Sequence, residues 1–194
     1  GYIIGGVQYD YLGGEYDIYI LKTDGNGIEQ WNKTFDYSSN DVGYDIKQTN
    51  DGGYIITGSV YDSLTFNKVF LAKLDGNGNE QWSQRYGGTW GSVGHSVQQT
   101  SDGGYIISGE TWNSTYLNSD IYLIKTDDFG VEQWNQSFSQ GGGVADDDFG
   151  HSVQQTSDGG YIIGGTTTNM GTSRDFHLIK TDNNGNEQWT RKFN

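Results

Sequence analysis

The chain has no cysteine and no proline among its 194 residues. Without cysteine, neither a disulfide framework nor a thiolate metal site can form. Without proline, the turns must be built from residues that tolerate unusual backbone angles, and 31 glycines are present for that task. Basic residues are also scarce: 11 Lys and Arg stand against 25 Asp and Glu, for a net charge of −14. Nucleic acid and anionic membrane both call for a basic surface, so neither is expected as a partner. No apolar run reaches the ~18 residues of a spanning helix, so no membrane insertion is expected.

What the sequence has in abundance is repetition. The phrase DGGYII places Tyr54, Tyr105 and Tyr161 in register, and a shortened GYII places Tyr2. Each is followed by D-x-x-G-x-E-Q-W, which ends on Trp31, Trp82, Trp134 and Trp189. A period of about 50 residues marks a repeat architecture. The units run approximately 1–43, 44–94, 95–150 and 151–194 of one domain or segment. The chain opens inside the motif at Gly1-Tyr2-Ile3-Ile4, with no initiator methionine or leader, and so reads as cut from a longer array.

The third unit shows the local logic. Ser96 to Thr100 alternates, and Ser101-Asp102-Gly103-Gly104 supplies the chemistry of a tight hairpin turn. Tyr105 to Gly109 is aromatic and β-branched, as a strand requires. A variable stretch leads to the apolar run Asp120 to Thr126, then a second turn at Asp127-Asp128-Phe129-Gly130, then a strand from Glu132 to Phe138. Nothing has helical spacing. The middle strands are nearly continuous in apolar character, as in sheets covered on both faces. This pattern predicts an all-β fold, a β-propeller of four ~50-residue blades, each a four-stranded antiparallel sheet. The once-per-unit tryptophans (Trp31, Trp82, Trp134, Trp189) are expected to dock on neighbouring blades.

The stretches TDGNGIEQW, LDGNGNEQW, TDDFGVEQW and TDNNGNEQW resemble the docking motif of quinoprotein-type (PQQ-like) β-propeller repeats, each one residue tighter than that pattern. The DGGYII segment is more similar still to repeats of uncharacterised prokaryotic secreted and surface propellers. The resemblance covers all four units and implies a blade rather than an activity. Quinoprotein dehydrogenases often hold their cofactor with a vicinal cysteine pair, which this chain lacks, so no cofactor is expected. The family's strand order implies that the SVQQT-type strand is innermost. Three such strands are present (Asp45 to Thr49, Ser96 to Thr100, Ser152 to Thr156), so one inner strand is missing from the chain. A fragment of a longer array, a ring with one strand outside the chain, or a strand supplied by another copy would each explain this. An open edge invites strand addition by other chains or by copies of the same chain.

Candidate chemistry is thin. Asp24, Asp75, Asp127 and Asp182 begin the D-x-x-G turns, with Glu29, Glu80, Glu132 and Glu187 five residues on. Calcium ligation there is the alternative to simple turn capping, which is favoured. His95 and His151 occupy matching places before two inner strands, Tyr44 holds that place in a third, and Asp148 lies nearby. These could bind a metal or serve structure alone, and the structural role is preferred, with no metal expected. The lone His177 suggests no site. The least repetitive stretches are Gln8 to Glu15, Val60 to Phe66, Tyr86 to Val93, Glu110 to Ser119, Ser139 to Asp147 and Thr166 to Arg174. They hold Trp90 and Trp112 outside the docking register, with Tyr11, Tyr61 and Tyr116, and the acidic run Asp146-Asp147-Asp148. Variable loops on a repeated scaffold are the usual home of binding.

The sequence therefore reads as a non-catalytic structural or interaction module, self-assembling through an open blade edge. An extracellular or cell-surface setting follows from composition alone. Sequons at Asn32, Asn113 and Asn135 are compatible with that setting. A carbohydrate-binding module using Trp90 and Trp112 is the second reading. The third is a polysaccharide hydrolase or lyase with Asp41 and Asp148 at a channel mouth.

Overall fold

The computed structural model describes residues 1–62, 66–113, 118–139, 147–169 and 173–193. Tyr116 and Asp146, with parts of four variable stretches named above, lie outside the described residues. Among the described residues there are fifteen strands and no helix.

The strands form four antiparallel sheets in chain order. Sheet 1 holds β1 (Tyr2–Asp10), β2 (Glu15–Thr23) and β3 (Glu29–Phe35). Sheet 2 holds β4 (Val42–Gln48), β5 (Tyr54–Tyr61), β6 (Asn67–Leu74) and β7 (Glu80–Tyr86). Sheet 3 holds β8 (Ser92–Gln99), β9 (Tyr105–Asn113), β10 (Asn118–Thr126) and β11 (Glu132–Phe138). Sheet 4 holds β12 (Asp148–Gln155), β13 (Tyr161–Asn169), β14 (Ser173–Thr181) and β15 (Glu187–Phe193). Sheets 2 to 4 have four strands and sheet 1 has three, so β1 has a free edge where the other sheets carry their first strand.

The turns are built as their residues dictate. In each D-x-x-G turn the aspartate Oδ1 accepts two backbone N–H groups: from Asn26 and Ile28 at Asp24, Asn77 and Asn79 at Asp75, Phe129 and Val131 at Asp127, and Asn184 and Asn186 at Asp182. These bonds hold the carboxyls of Asp24 and Asp75 below their ordinary range; at Asp182 the Asn186 side chain contributes most. The closing glycines Gly27, Gly78, Gly130 and Gly185 all have positive φ, near 80°, which other residues rarely adopt. The glutamates five residues on point elsewhere. Glu29 and Glu132 accept from Asn32 and Asn135 at 2.6 Å, and Glu80 accepts from the Tyr37 hydroxyl.

The other turn is reinforced from a strand. Asp51, Asp102 and Asp158 in the DGG phrases each cap their own turn and pair with a lysine, Lys73, Lys125 or Lys180, at 2.8–2.9 Å. Those lysines are buried, lie opposite the repeated tryptophan across the sheet, and also donate to the next residue's carbonyl.

Successive sheets pack face to face around three apolar clusters. Ile18 and Ile20 of sheet 1 meet Tyr54, Ile56 and Phe70 of sheet 2. Ile55, Val69 and Leu71 meet Val97, Tyr105 and Ile107 of sheet 3, and Ile106, Ile121 and Leu123 meet Val153, Tyr161 and Ile163 of sheet 4. Trp31, Trp82 and Trp134 each set an edge or tilted contact on the next sheet's tyrosine, Tyr54, Tyr105 or Tyr161, at 5.8 Å between ring centroids. Trp189 does not dock in this way: it is exposed, with the Arg191 guanidinium 5.9 Å from its ring.

The first strand of each complete sheet begins earlier than its sequence signal. β4, β8 and β12 start at Val42, Ser92 and Asp148, and each carries a register shift at Tyr44, His95 or His151. The glycine before each shift is required by close approach. A Cβ on Gly94 would stand 2.4 Å from Thr57 Oγ1, and one on Gly150 2.3 Å from Ser108 Oγ. The bulge bends the strand so that it can lie against the middle strands of the preceding sheet. β4 packs on β1 and β2, β8 on β5 and β6, and β12 on β9 and β10.

Candidate functional site

Antiparallel order divides the molecule into two rims. Both kinds of glycine turn fall on one rim, and the variable loops and inter-sheet links fall on the other. On the repeated rim the aspartates cap turns and pair with lysines. The variable rim is where the units differ, and there sheets 2 and 3 form a cleft of about 480 Å³.

Tyr61 ends β5, Trp90 lies in the link before β8, and Trp112 is near the end of β9; all three line the cleft. The sequence reading singled out these aromatics, and the fold brings them to one place. It missed Phe66, which joins them. The Phe66 and Trp90 rings are nearly parallel, 20° between planes with centroids 6.0 Å apart. All four side chains are substantially exposed. Phe66 also has a φ of 37°, an angle that bulky residues seldom take. Phe66 lies in the same variable stretch as Tyr61, so its aromatic ring there was the available signal.

Polar groups complete the lining. Asn67, Ser92, Glu110 and Ser119 contribute, and Ser92 Oγ bonds Thr111 Oγ1 at 2.9 Å. The Trp112 N–H donates to the Gly91 carbonyl at 2.9 Å, tying β9 to the link that carries Trp90. Glu110 Oε2 is buried from solvent without a hydrogen-bond partner and lies 3.8 Å from His95 Nε2.

The remaining candidates fall elsewhere. Tyr44, His95 and His151 form a row across the bulges, with ring centroids 4.9 and 5.9 Å apart. Phe149 stacks on His151, and Arg174 lies 5.5 Å from the Phe149 ring. Burial, with His95 alongside, lowers the His151 pKa and favours a neutral imidazole. Asp148 is wholly buried. Asp41 is also wholly buried, and its carboxylate accepts from the Tyr37 and Ser38 backbone and the Ser38 hydroxyl. Neither offers a carboxylate to solvent. Tyr11 stands apart on sheet 1, edge-on to Tyr9 at 5.1 Å.

One grouping that could hold a cation occurs among the described residues. Glu15, Asp17 and Asp36 bring carboxylate oxygens within 4.8 Å of one another at the variable rim of sheet 1. Burial and then the neighbouring acids raise the pKa of both Glu15 and Asp17. This is not the set of turn aspartates that the sequence suggested for calcium.

In comparison with known proteins, the chain matches no family model and no curated sequence. No helix among the described residues is long and apolar enough to cross a membrane. Fold and cleft together define the class: a repetitive all-β scaffold with an aromatic-lined cleft on its variable rim.

Proposed function

We propose that the sheets are arranged radially as a β-propeller or a segment of one, and that the chain is a non-catalytic binding module whose cleft takes a carbohydrate. The observation that carries this reading is the convergence of Tyr61, Phe66, Trp90 and Trp112 around about 480 Å³. Flat rings receive the apolar face of a pyranose, and the exposed Asn67 at the cleft supplies a polar partner for its hydroxyls. The cleft mixes exposed rings with few polar groups, the composition expected of a small-molecule site rather than of a core. An extracellular or cell-surface setting is part of this proposal and fits a glycan ligand. The resemblance to quinoprotein-type repeats enters only as support for the radial arrangement.

The test is binding. A neutral oligosaccharide should titrate into the protein with measurable heat, and Trp90→Ala or Trp112→Ala should each weaken it by about tenfold or more. Both residues are exposed, so both variants should keep the parent melting temperature. A glycan panel without a single binder, or binding that survives both substitutions, overturns the reading.

A further inference from the structure

The three covered interfaces show what one sheet requires of the next. The tryptophan on the last strand enters a socket made by the following sheet's tyrosine and the positive-φ glycine of its D-x-x-G turn. A Cβ on Gly78 would stand 2.8 Å from the Trp31 ring; on Gly130 and Gly185 it would stand 2.6 Å from Trp82 and Trp134. The socket is that close a fit three times over.

Sheet 1 carries the same socket with nothing in it. A Cβ on Gly27 would meet no atom within 4 Å. Tyr2 is 61% exposed, whereas its equivalents Tyr54, Tyr105 and Tyr161 are 3%, 1% and 2% exposed. Ile4, on the same face of β1, is 52% exposed, whereas Ile56, Ile107 and Ile163 are buried. Sheet 4 carries the matching plug. Trp189 is 40% exposed and Phe193 52%. Phe176 is 50% exposed, whereas its equivalents Ile18, Val69 and Ile121 are buried.

We propose that these faces belong to one interface: the outer face of sheet 4 docks on the outer face of sheet 1 of a second copy of this chain. Trp189 then occupies the space over Gly27 against Tyr2, as Trp31 does over Gly78 against Tyr54. The contact is head-to-tail, since plug and socket are different surfaces at opposite ends of the chain, and such contacts build closed rings or open chains rather than two-fold dimers. A cavity of about 560 Å³ between the first strands β4, β8 and β12 reaches this face at Ile162, Phe176 and Leu178. The proposal does not depend on the sugar reading, because no residue of the cleft takes part.

The experiment uses two variants of the 194-residue chain, Trp189→Glu and Tyr2→Glu, with mass in solution measured by light scattering or sedimentation. The parent should form assemblies larger than one chain as concentration rises through the micromolar range. Each variant alone should be monomeric with an unchanged melting temperature, because both residues are exposed. An equimolar mixture should give a discrete pair of chains, since Tyr2→Glu retains the plug and Trp189→Glu retains the socket. A parent that stays monomeric to millimolar concentration overturns the proposal. So does either variant that still associates alone, or a mixture that stays monomeric while the parent associates, which would point to a different surface.

Discussion

The interface between sheets 2 and 3 and the outer face of sheet 4 are made from the same residue types at the same register, in opposite environments. Trp82 packs on Tyr105 beneath Gly130, while Trp189 meets no ring of another sheet among the described residues and has Arg191 of its own sheet over it. The repeat therefore specifies the chemistry of a surface without specifying whether that surface is covered. Identical side chains should carry different energies at the two places, and substitutions can measure the difference.

The largest contrast is expected at the tryptophans. Trp82→Ala should cost about 3–5 kcal/mol, the range for removing a large packed aromatic. Trp189→Ala, in protein dilute enough to keep copies apart, should cost under about 0.5 kcal/mol, as exposed substitutions usually do. Urea denaturation of both variants checks this directly. Equal losses would show that the indole works within its own sheet rather than between sheets.

Next come the socket glycines. Gly27 and Gly130 both have φ near 80°, so alanine pays a similar backbone penalty of about 1 kcal/mol at each. Only at Gly130 does the new methyl also meet an indole, at 2.6 Å, which adds roughly 1–3 kcal/mol of overpacking. The difference between Gly130→Ala and Gly27→Ala in melting experiments thus reads the occupied socket alone. Backbone strain cancels.

Much of this was legible in the sequence, for reasons that can be named. Turn chemistry located both hairpins of each unit, because aspartate capping and positive-φ glycine are local demands that a six-residue phrase records. The docking of Trp31, Trp82 and Trp134 followed from the period, while the place of the SVQQT-type strand in each sheet was what the family resemblance implied. The first strands were read too short because the ladder shift at Tyr44, His95 and His151 interrupts alternation, so Val42, Ser92 and Asp148 looked like loop. The Asp51–Lys73 pairing and its two copies went unread, although a lysine recurs at Lys22, Lys73, Lys125 and Lys180 in a strand otherwise apolar. A charge repeated in a buried strand implies a partner, and that was the available signal. At the cleft, Trp90, Trp112 and Tyr61 were visible as aromatics out of register. Phe66 carried the same signal as Tyr61, whereas Glu110 did not, since its place at the cleft depends on how sheets 2 and 3 face each other.

The smallest effect at neutral pH concerns adjacent residues on opposite faces of β14. Phe176 looks outward, while His177 is wholly buried against sheet 3, with Nε2 on Thr190 Oγ1 at 2.7 Å and Nδ1 without a partner. Burial, helped by Lys192, pushes the His177 pKa down to about 4 from 6.5. A histidine held neutral in the fold but free to protonate when unfolded favours the unfolded state as pH falls. The stability lost through this group should therefore begin near pH 6.5 and be complete near pH 4, at most about 3 kcal/mol. His177→Phe, which places the sheet 2 residue Phe70 at this register, removes the titration. Its melting temperature should match the parent's at pH 7 within a few degrees and exceed it at pH 4.5. Parallel pH profiles would mean that the imidazole is solvated after all, and that sheet 3 covers this face less tightly than sheet 1 covers the Phe70 face of sheet 2.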